Sequence, residues 1–286
     1  MTTVQKGVVA GIVASAIWGG MYVISKVVLE VIPPLTLVSV RMFIAFVAIL
    51  VYLALLGRDW RLPRAAWGTV LAMGLVGYAL SISAQFIGTD LAGAALGSLI
   101  TTAAPLVTVA LAALLGLERV PLTAWAGLGV AMLGVWVLSG SGGASLAGIL
   151  WLLLAAVTWG VLGLIGGQGV RRYDPALLTA WASLVGGVVL LALVPGELAR
   201  QPVGEIGLGT VLGVLYLGVV STAVAFALWV YSVAQAGSVL SGLAFFAQPA
   251  VGALLGWALL GEPLGWLFVL GAALLFAGAW VARPAR

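Results

Sequence analysis

Apolar residues occur along this chain in long runs, and short polar or turn-forming segments separate the runs. About 20 mostly apolar residues in a helix are enough to cross the hydrocarbon core of a bilayer. Turn chemistry or charge marks most breaks, as at Pro33-Pro34 and Asp90, while the break near Gly237 is weakly marked. The pattern predicts an all-α polytopic membrane protein with ten transmembrane helices, at 7–29, 35–56, 66–88, 91–116, 122–138, 146–166, 176–194, 206–233, 238–260 and 264–282.

The composition supports this class. Hydrophobic residues make up 64% of the 286 residues and charged residues only 7%, whereas a soluble domain carries about 25% charged residues. A soluble fold of this size could not bury so much apolar surface, but a bilayer solvates the outer faces of helices. The first apolar run is too long for the core of a signal peptide, and we expect it to remain as a membrane helix.

The placement of Lys and Arg predicts the orientation, since basic residues are enriched in cytoplasmic loops. With a cytoplasmic N-terminus, the opposite loops hold only Arg200. Nine basic residues then lie on the cytoplasmic side, namely Lys6, Arg58, Arg61, Arg64, Arg119, Arg171, Arg172, Arg283 and Arg286. We therefore expect a multi-pass protein of the cell (inner) membrane with both termini in the cytoplasm.

Several classes of function are disfavoured by residue types that the sequence lacks. It contains no Cys and no His, which removes disulfides, thiol catalysis and metal sites built on Cys or His. The net charge of +4 comes from basic residues that lie singly, without the Lys/Arg stripe that follows phosphates in nucleic acids. No G-x-S-x-G, H-E-x-x-H or P-loop motif occurs. We expect neither an enzyme nor a cofactor, a metal or a nucleic-acid partner.

The second half of the chain repeats the first. Trp18-Gly19 recurs as Trp159-Gly160 at an offset of 141, and a three-residue insertion between spans 2 and 3 of the second copy raises later offsets to 144. Further matches keep their order: Pro34 with Pro175, Gly93 with Gly237, Pro105 with Pro249, Glu118 with Glu262, Gly127 with Gly271, Gly134 with Gly278 and Trp136 with Trp280. Five spans per copy are an odd number, so the copies, at 1–140 and 141–286, enter the membrane from opposite sides. Such inverted-topology repeats give many transporters alternating access.

These residues also carry a resemblance to a known family. Trp18-Gly19, Arg41 and the run from Leu91-Ala92-Gly93 through Pro105 to Glu118 resemble the EamA-type branch of the drug/metabolite transporter superfamily, over nearly the whole chain. The resemblance implies a ten-helix inverted repeat. The chain is similar to the bacterial aromatic amino acid exporter subgroup, which implies export of amino acids or similar metabolites. It departs from repeat symmetry at Arg41, whose partner position is Ala182.

Polar and aromatic residues recur at helical spacing on spans 1, 3, 4, 6, 8 and 9. We expect these spans to line a cavity and spans 2, 5, 7 and 10 to form a scaffold. An amide that faces lipid or a dry core needs several partners, which favours cavity positions for the two glutamines. Pro105 and Pro249 predict helix kinks, each freeing a carbonyl one turn earlier. The predicted substrate-binding residues are Trp18, Tyr22, Lys26, Tyr78, Gln85, Trp159, Phe245 and Gln248.

Packing is the alternative interpretation for many of these residues. Ser, Thr and Gly pack helices together, and Trp18 and Trp159 could equally fill a core. Lys26 lies one turn from the end of span 1, where it either snorkels to the interface or serves as a counter-charge for a substrate carboxylate. Arg41 lies two turns into a predicted scaffold helix, which favours a structural role in bonding loop or helix-end carbonyls.

The sequence thus predicts a transporter that exports small neutral metabolites, such as aromatic or other apolar amino acids, by alternating access. All eight carboxylates lie at or near span ends, so facilitated diffusion is the simplest energetic mechanism. A nucleotide-sugar or phosphorylated-metabolite exchanger would need two or more convergent cations, and a solute channel would conduct without saturation; both stay open as alternatives. The expected partners are a small-molecule substrate and the lipid bilayer, with the protein a monomer or a homodimer.

Overall fold

The computed structural model describes residues 1–116, 122–139, 145–169 and 172–281. These residues are helical throughout apart from connections, which confirms the all-α prediction. A short helix, Val194–Leu198, lies in one connection. The described ranges contain ten long helices: α1 (Thr3–Leu29), α2 (Pro34–Leu55), α3 (Arg64–Ala92), α4 (94–114), α5 (Leu122–Ser139), α6 (Leu146–Gly169), α7 (Pro175–Leu191), α8 (Leu208–Gly237), α9 (238–260) and α10 (Trp266–Val281).

Five of these helices qualify as membrane spans by their length and apolar composition alone. The helices α1, α2, α3, α6 and α8 are long and apolar enough to cross a membrane, and the other five are shorter apolar helices. Their outward faces carry large exposed apolar side chains such as Leu55, Leu122 and Leu259. Lipid solvates such faces, whereas water would not.

Two glycines of the repeat break the bundle at equivalent points. The predicted break at Asp90 is wrong, because α3 continues to Ala92 and ends at Gly93, which has φ 95° and ψ 163°. Its repeat partner Gly237 has φ 80° and ψ 164° between α8 and α9. Only glycine adopts such positive φ values without a steric cost. The weakly marked break near Gly237 is therefore as sharp as its partner, and α8 is longer than predicted.

Two π-helical segments are also related by the repeat. They are Met73–Ser81 within α3 and Tyr216–Val224 within α8. A π turn holds more residues than an α turn and often occurs at functional sites. Both proline helices are irregular as well: a 3₁₀ turn, Thr101–Ala103, precedes Pro105 in α4, and α9 is interrupted just before its segment Ala247–Leu260, which contains Pro249.

The helices pack in a repeat-related arrangement. α1 lies against α8 and α9, and its repeat partner α6 lies against α3 and α4. α2 pairs with α7, and α5 pairs with α10. The close approach of α1 to α9 needs Gly19, because a Cβ there would lie 2.5 Å from the carbonyl oxygen of Gln248. The described residues thus form two interlocked halves, in agreement with the predicted duplication.

The bundle has two ends. We call the end that holds Thr3 and Val281 the terminal end, and the opposite end, with the α1–α2, α3–α4, α7–α8 and α9–α10 connections, the far end. The charge bias of the sequence predicts that the terminal end is cytoplasmic. Some residues behind these predictions lie outside the described ranges, namely Glu118, Arg119, Arg171, Arg283 and Arg286.

Candidate functional site

A cavity of about 390 Å³ lies between the two repeats. This volume is within the range of small-molecule binding pockets. Its apolar and aromatic walls are formed by Trp18, Met21, Ile82, Ala104, Pro105, Trp159, Gly163, Phe226, Trp229 and Phe245. Its polar lining consists of Tyr22, Arg41, Gln85, Thr101, Thr108, Thr222 and Gln248.

The structure brings most of the residues predicted from the sequence into this cavity. All six helices expected to line it do so, and α2 joins them through Arg41. Six of the eight predicted binding residues border it: Trp18, Tyr22, Gln85, Trp159, Phe245 and Gln248. Pro105 borders it too, whereas Pro249 is buried in α9 outside its lining.

Lys26 does not reach the cavity. Its Nζ lies 3.0 Å from Oδ1 of Asp90 at the far end, and it also donates to the backbone carbonyl of Asp90. This ion pair joins the last turn of α1 to the last turn of α3. The charge of Lys26 is therefore used between helices, instead of being free for a solute in the cavity.

Tyr78 also lies elsewhere, although it is two helical turns from Gln85 in sequence. Its side chain is 1% exposed and packs against α7, where a Cβ on Gly186 would lie 2.8 Å from the Tyr78 Cβ. The reason is the π segment Met73–Ser81, which ends between the two residues. Because a π turn holds more than 3.6 residues, spacing that places two residues on one face of an α-helix no longer does so.

Trp18 is the centre of an aromatic wall. Its ring centroid lies 5.4 Å from that of Phe226, 5.5 Å from that of Trp229 and 6.0 Å from that of Phe245. Trp229 and Phe245 are 5.6 Å apart. The Trp18 Nε1 donates to the carbonyl of Ser221 at 2.9 Å, which fixes the ring's orientation. Edge and tilted contacts of this kind are a preferred geometry of aromatic pairs, so the four rings form one packed apolar wall.

The repeat partner of Trp18 is held in the equivalent way. Trp159 on α6 donates from Nε1 to Oε1 of Gln85 on α3, at 3.1 Å. Thus each tryptophan of the Trp-Gly pair bonds to the third helix of the other repeat, α8 in one case and α3 in the other. The amide group of Gln85 keeps its NH₂ for another partner, because only its oxygen is used by Trp159.

The far side of the cavity is closed by α1, α4 and α9. The hydroxyl groups of Tyr22 and Thr101 are hydrogen-bonded, and Nε2 of Gln248 donates to the carbonyl of Ser98 at 3.3 Å. A Cβ on Gly252 would overlap Oγ of Ser98, so α9 and α4 touch there. By contrast, the segment Ala104–Leu114 of α4 packs on α6 and α5 rather than on α1 or α9. The cavity therefore lies on the terminal side of a closed seam.

The bonding partners of Arg41 differ from those predicted. It is 3% exposed, borders the cavity and bonds hydroxyl groups of α8 instead of loop or helix-end carbonyls. The prediction that α2 is purely scaffold is therefore wrong. Within the described residues, no group of three carboxylates converges on a point where a metal ion could bind.

The predicted binding residues include none from α8, although three residues of this helix border the cavity. Thr222, Phe226 and Trp229 follow one another at steps of four and three, the spacing of a single helix face. The repeat could have identified Trp229, because it is the partner of Gln85 at the offset of 144. Phe226 carries no signal beyond its position on this face.

Known proteins resemble this chain over most of its length. An uncharacterized transporter of Archaeoglobus fulgidus is 26% identical over 266 residues, covering 92% of this chain and 94% of the relative. A protein of Salmonella typhimurium named as a probable amino-acid metabolite efflux pump is 29% identical over 284 residues, covering 93% and 90%. A solved crystal structure superposes with a TM-score of 0.69 at 23% identity, covering 97% of this chain and 96% of the other, and supports the fold alone.

The family assignment rests on both halves of the chain. The profile of the EamA-like transporter family matches residues 5–140 and, separately, residues 146–283. The two matches correspond to the two sets of five helices that the structure interlocks around the cavity. The chain is a multi-pass membrane transporter, not an enzyme, and it belongs to the EamA-like transporter family.

Proposed function

We propose that this protein exports small neutral metabolites, with aromatic or other apolar amino acids as its substrates, across the cell (inner) membrane. The observation that carries the proposal is the cavity between the repeats, with Trp18, Phe226, Trp229 and Phe245 on one wall and amide and hydroxyl groups on the others. Aromatic walls bury an apolar side chain, and a few placed polar groups orient the rest of a ligand. The similarity to a relative named as an amino-acid metabolite efflux pump supports the same substrate class.

Alternating access is the proposed mechanism. The seam of α1, α4 and α9 closes the far side of the cavity, while the later half of α4 turns away from α1 and α9. In an inverted repeat, exchange of the two halves' conformations produces the opposite state, closed at the terminal end. The solute site would then face each side of the membrane in turn.

Facilitated diffusion fits the charges of the site. No Asp or Glu is among the described residues that line the cavity, and the described carboxylates that form ion pairs do so at helix ends. Proton or sodium coupling in transporters depends on ionisable or oxygen-rich groups near the midplane. A carrier without a carboxylate in its cavity moves a solute down its own gradient and would relieve a high internal concentration.

Counterflow in proteoliposomes tests the substrate class. Vesicles loaded with unlabelled L-phenylalanine should transiently accumulate labelled L-phenylalanine above equilibrium, and uptake should saturate. Vesicles with UDP-glucose or glucose 6-phosphate in its place should not. Saturable exchange of the phosphorylated solutes alone would instead support the exchanger, and flux without saturation or counterflow would support a channel.

The cavity wall can be tested with a matched pair of tryptophans. Trp159→Ala removes a cavity wall and the hydrogen bond to Gln85, and we expect it to reduce counterflow at least tenfold. Trp257→Ala is the control, because that ring is 59% exposed on the outer face of α9. Equal transport by both variants would place the solute path elsewhere.

Imposed gradients test the energetics. With equal substrate on both sides, a pH gradient and then a sodium gradient should each produce no net movement of L-phenylalanine. Uphill accumulation that an ionophore abolishes would show that transport is ion-coupled and would contradict facilitated diffusion.

A further inference from the structure

We propose that Arg41 is the anchor for a substrate carboxylate, so that the transporter selects solutes that join a carboxylate to an apolar or aromatic body. The inference rests on the proposed function and refines it, since it names the group by which the solute is recognised. Amines of the same shape without a carboxylate would be rejected.

The first step is the bonding of the guanidinium group. Nε of Arg41 lies 3.2 Å from Oγ1 of Thr222, and Nη2 lies 3.1 Å from both Oγ1 of Thr222 and Oγ of Ser221. The third nitrogen, Nη1, is buried and has no hydrogen-bond partner among the described residues. Buried polar groups without partners are rare in folded proteins and need an explanation.

The second step is the missing counter-charge. The ion pairs of the described chain are Lys26–Asp90 and Arg58–Asp174, both at helix ends, so no described carboxylate pairs with Arg41. The ring of Phe86, 5.2 Å from Cζ, offers only a weak cation–π contact. An uncompensated cation inside a membrane protein is costly and marks a functional site by default.

The third step identifies the ligand. The N–H groups of Nη1 are the ones left for a ligand, and a guanidinium N–H forms a charge-assisted hydrogen bond with a carboxylate oxygen. Among the described residues that line the cavity, Arg41 is the one that carries a charge. A single cation matches the charge of a carboxylate, whereas a phosphate or a nucleotide would leave excess negative charge in an apolar site. The aromatic wall around Trp18 then receives the rest of the solute.

The fourth step separates this role from a structural one. The hydroxyl groups that Arg41 contacts each donate to the carbonyl of Leu217, at 2.7 Å for Ser221 and 3.0 Å for Thr222. These hydroxyls therefore stay bonded if the guanidinium is removed. Replacing a buried charge by an apolar side chain of similar size is often neutral or stabilising. Arg41→Met should consequently fold at least as well as the unaltered protein and lose carboxylate recognition.

The experiment measures thermal stability and counterflow of the full chain. The probes are 3-phenylpropionate, which has the carboxylate alone, phenethylamine, which has the amine alone, and L-phenylalanine, which has both. We expect 3-phenylpropionate and L-phenylalanine to raise the Tm of the unaltered protein and to inhibit counterflow, and phenethylamine to do neither. In Arg41→Met the Tm without ligand should be equal or higher, and the affinity for 3-phenylpropionate should fall roughly tenfold to a hundredfold, the loss expected for a charge-assisted pair.

Two further variants complete the design. Arg41→Lys keeps the charge without the planar fork and should bind 3-phenylpropionate with intermediate affinity. Arg58→Met removes another arginine, on the exposed pair with Asp174, and should bind as the unaltered protein does.

The inference is overturned if phenethylamine binds as well as 3-phenylpropionate, if neither binds, or if Arg41→Met retains the affinity. A marked loss of Tm in Arg41→Met without ligand would assign the residue a structural role. The proposed function fails separately, if 3-phenylpropionate binds through Arg41 but no amino acid shows counterflow.

Discussion

The two ends of the bundle are held together in different ways. At the far end, Glu262 accepts hydrogen bonds from the backbone N–H groups of Ala94 at 2.6 Å and Ala95 at 2.7 Å, which begin α4. At the terminal end, Arg58 and Asp174 form an ion pair of 2.9 Å whose side chains are 54% and 33% exposed. Carboxylates that cap backbone N–H groups stabilise more than exposed ion pairs.

A second capping carboxylate adds to the hydrogen bonds that join the two repeats at the far end. Glu197 accepts from the N–H groups of Leu35 at 2.8 Å and Thr36 at 2.7 Å, at the start of α2. Glu197 and Glu262 both belong to the second repeat, and the helices they cap belong to the first. In this conformation, described carboxylates of one repeat cap helices of the other at the far end, whereas at the terminal end the described ion pair between the repeats is exposed. The difference is what a transporter needs if the two ends are to open alternately.

Accessibility of the two ends to the medium gives the largest expected difference. The sequence has no cysteine of its own, so single-cysteine variants need no altered background. We expect an impermeant maleimide added to intact cells to label Arg200→Cys at the far end and to leave Arg64→Cys at the terminal end unlabelled. Permeabilisation should make both reactive. The reverse pattern would invert the orientation, and labelling of both in intact cells would contradict the odd number of spans between these residues.

The cap at Glu262 should have the largest effect on stability and on the balance of states. Glu262→Gln weakens two charge-assisted hydrogen bonds, and we expect a loss of about 2 to 3 kcal/mol in the unfolding free energy of the far-end-closed state. Thermal unfolding in detergent measures it. The repeat assigns Glu118, which lies outside the described residues, the same role at the other end. Glu118→Gln should therefore favour the far-end-closed state, with reduced labelling of cysteines that line the cavity from the far side. If Glu262→Gln and Glu118→Gln shifted the balance between the two states equally and in the same direction, the two carboxylates would not act at opposite ends.

The cap at Glu197 should contribute less. Its oxygens bond two N–H groups and the hydroxyl of Thr36, but α2 begins with Pro34, which has no N–H to satisfy and itself favours the start of a helix. We expect Glu197→Gln to cost about 1 kcal/mol, the usual value of a helix N-cap. Gln201→Glu, on the same connection without a bond to α2, is a control for altered charge and should leave the Tm unchanged. If Glu197→Gln lowered the unfolding free energy by more than Glu262→Gln does, Glu197 would be the more stabilising of the two caps.

The exposed pair at the terminal end should matter least. Asp174 also caps its own helix, α7, through the N–H of Ala176 at 2.8 Å, and this bond survives loss of Arg58. We expect Arg58→Met to change the unfolding free energy by less than about 1 kcal/mol, and by less again at high salt. A double-mutant cycle with Asp174→Asn isolates the pair. A coupling energy between Arg58 and Asp174 as large as the loss from Glu262→Gln would show that the two ends are held together with equal strength.

Most of the fold followed from the sequence, because membrane helices are long and apolar and leave a simple pattern. The repeat followed as well, since rare residues such as Trp18 and Pro105 recur in order. The charge of Asp90 predicts the end of α3 at that residue. The helix ends instead at Gly93, because the backbone conformation of this glycine is not helical. Helix boundaries are set by local φ values that hydropathy does not record.

The site was harder to predict than the fold. Periodicity placed Trp18, Gln85 and Trp159 correctly in space, because α-helical spacing holds where they lie. It failed for Tyr78, since a π segment alters the spacing without a sequence signal. It also gave no role to Arg41 in the cavity, because the residues that the guanidinium contacts are 180 and 181 positions further along the chain.

The paired π segments have a mechanical consequence. A helix that contains one more residue per turn over a short stretch has a reserve of length, which it can release by returning that stretch to α geometry. In α3 and α8 the reserve lies beside the cavity, and in α8 it includes Ser221 and Thr222. A change in axial length would thereby be absorbed beside the cavity, and the polar ends of these two helices could keep a constant depth relative to the lipid headgroups.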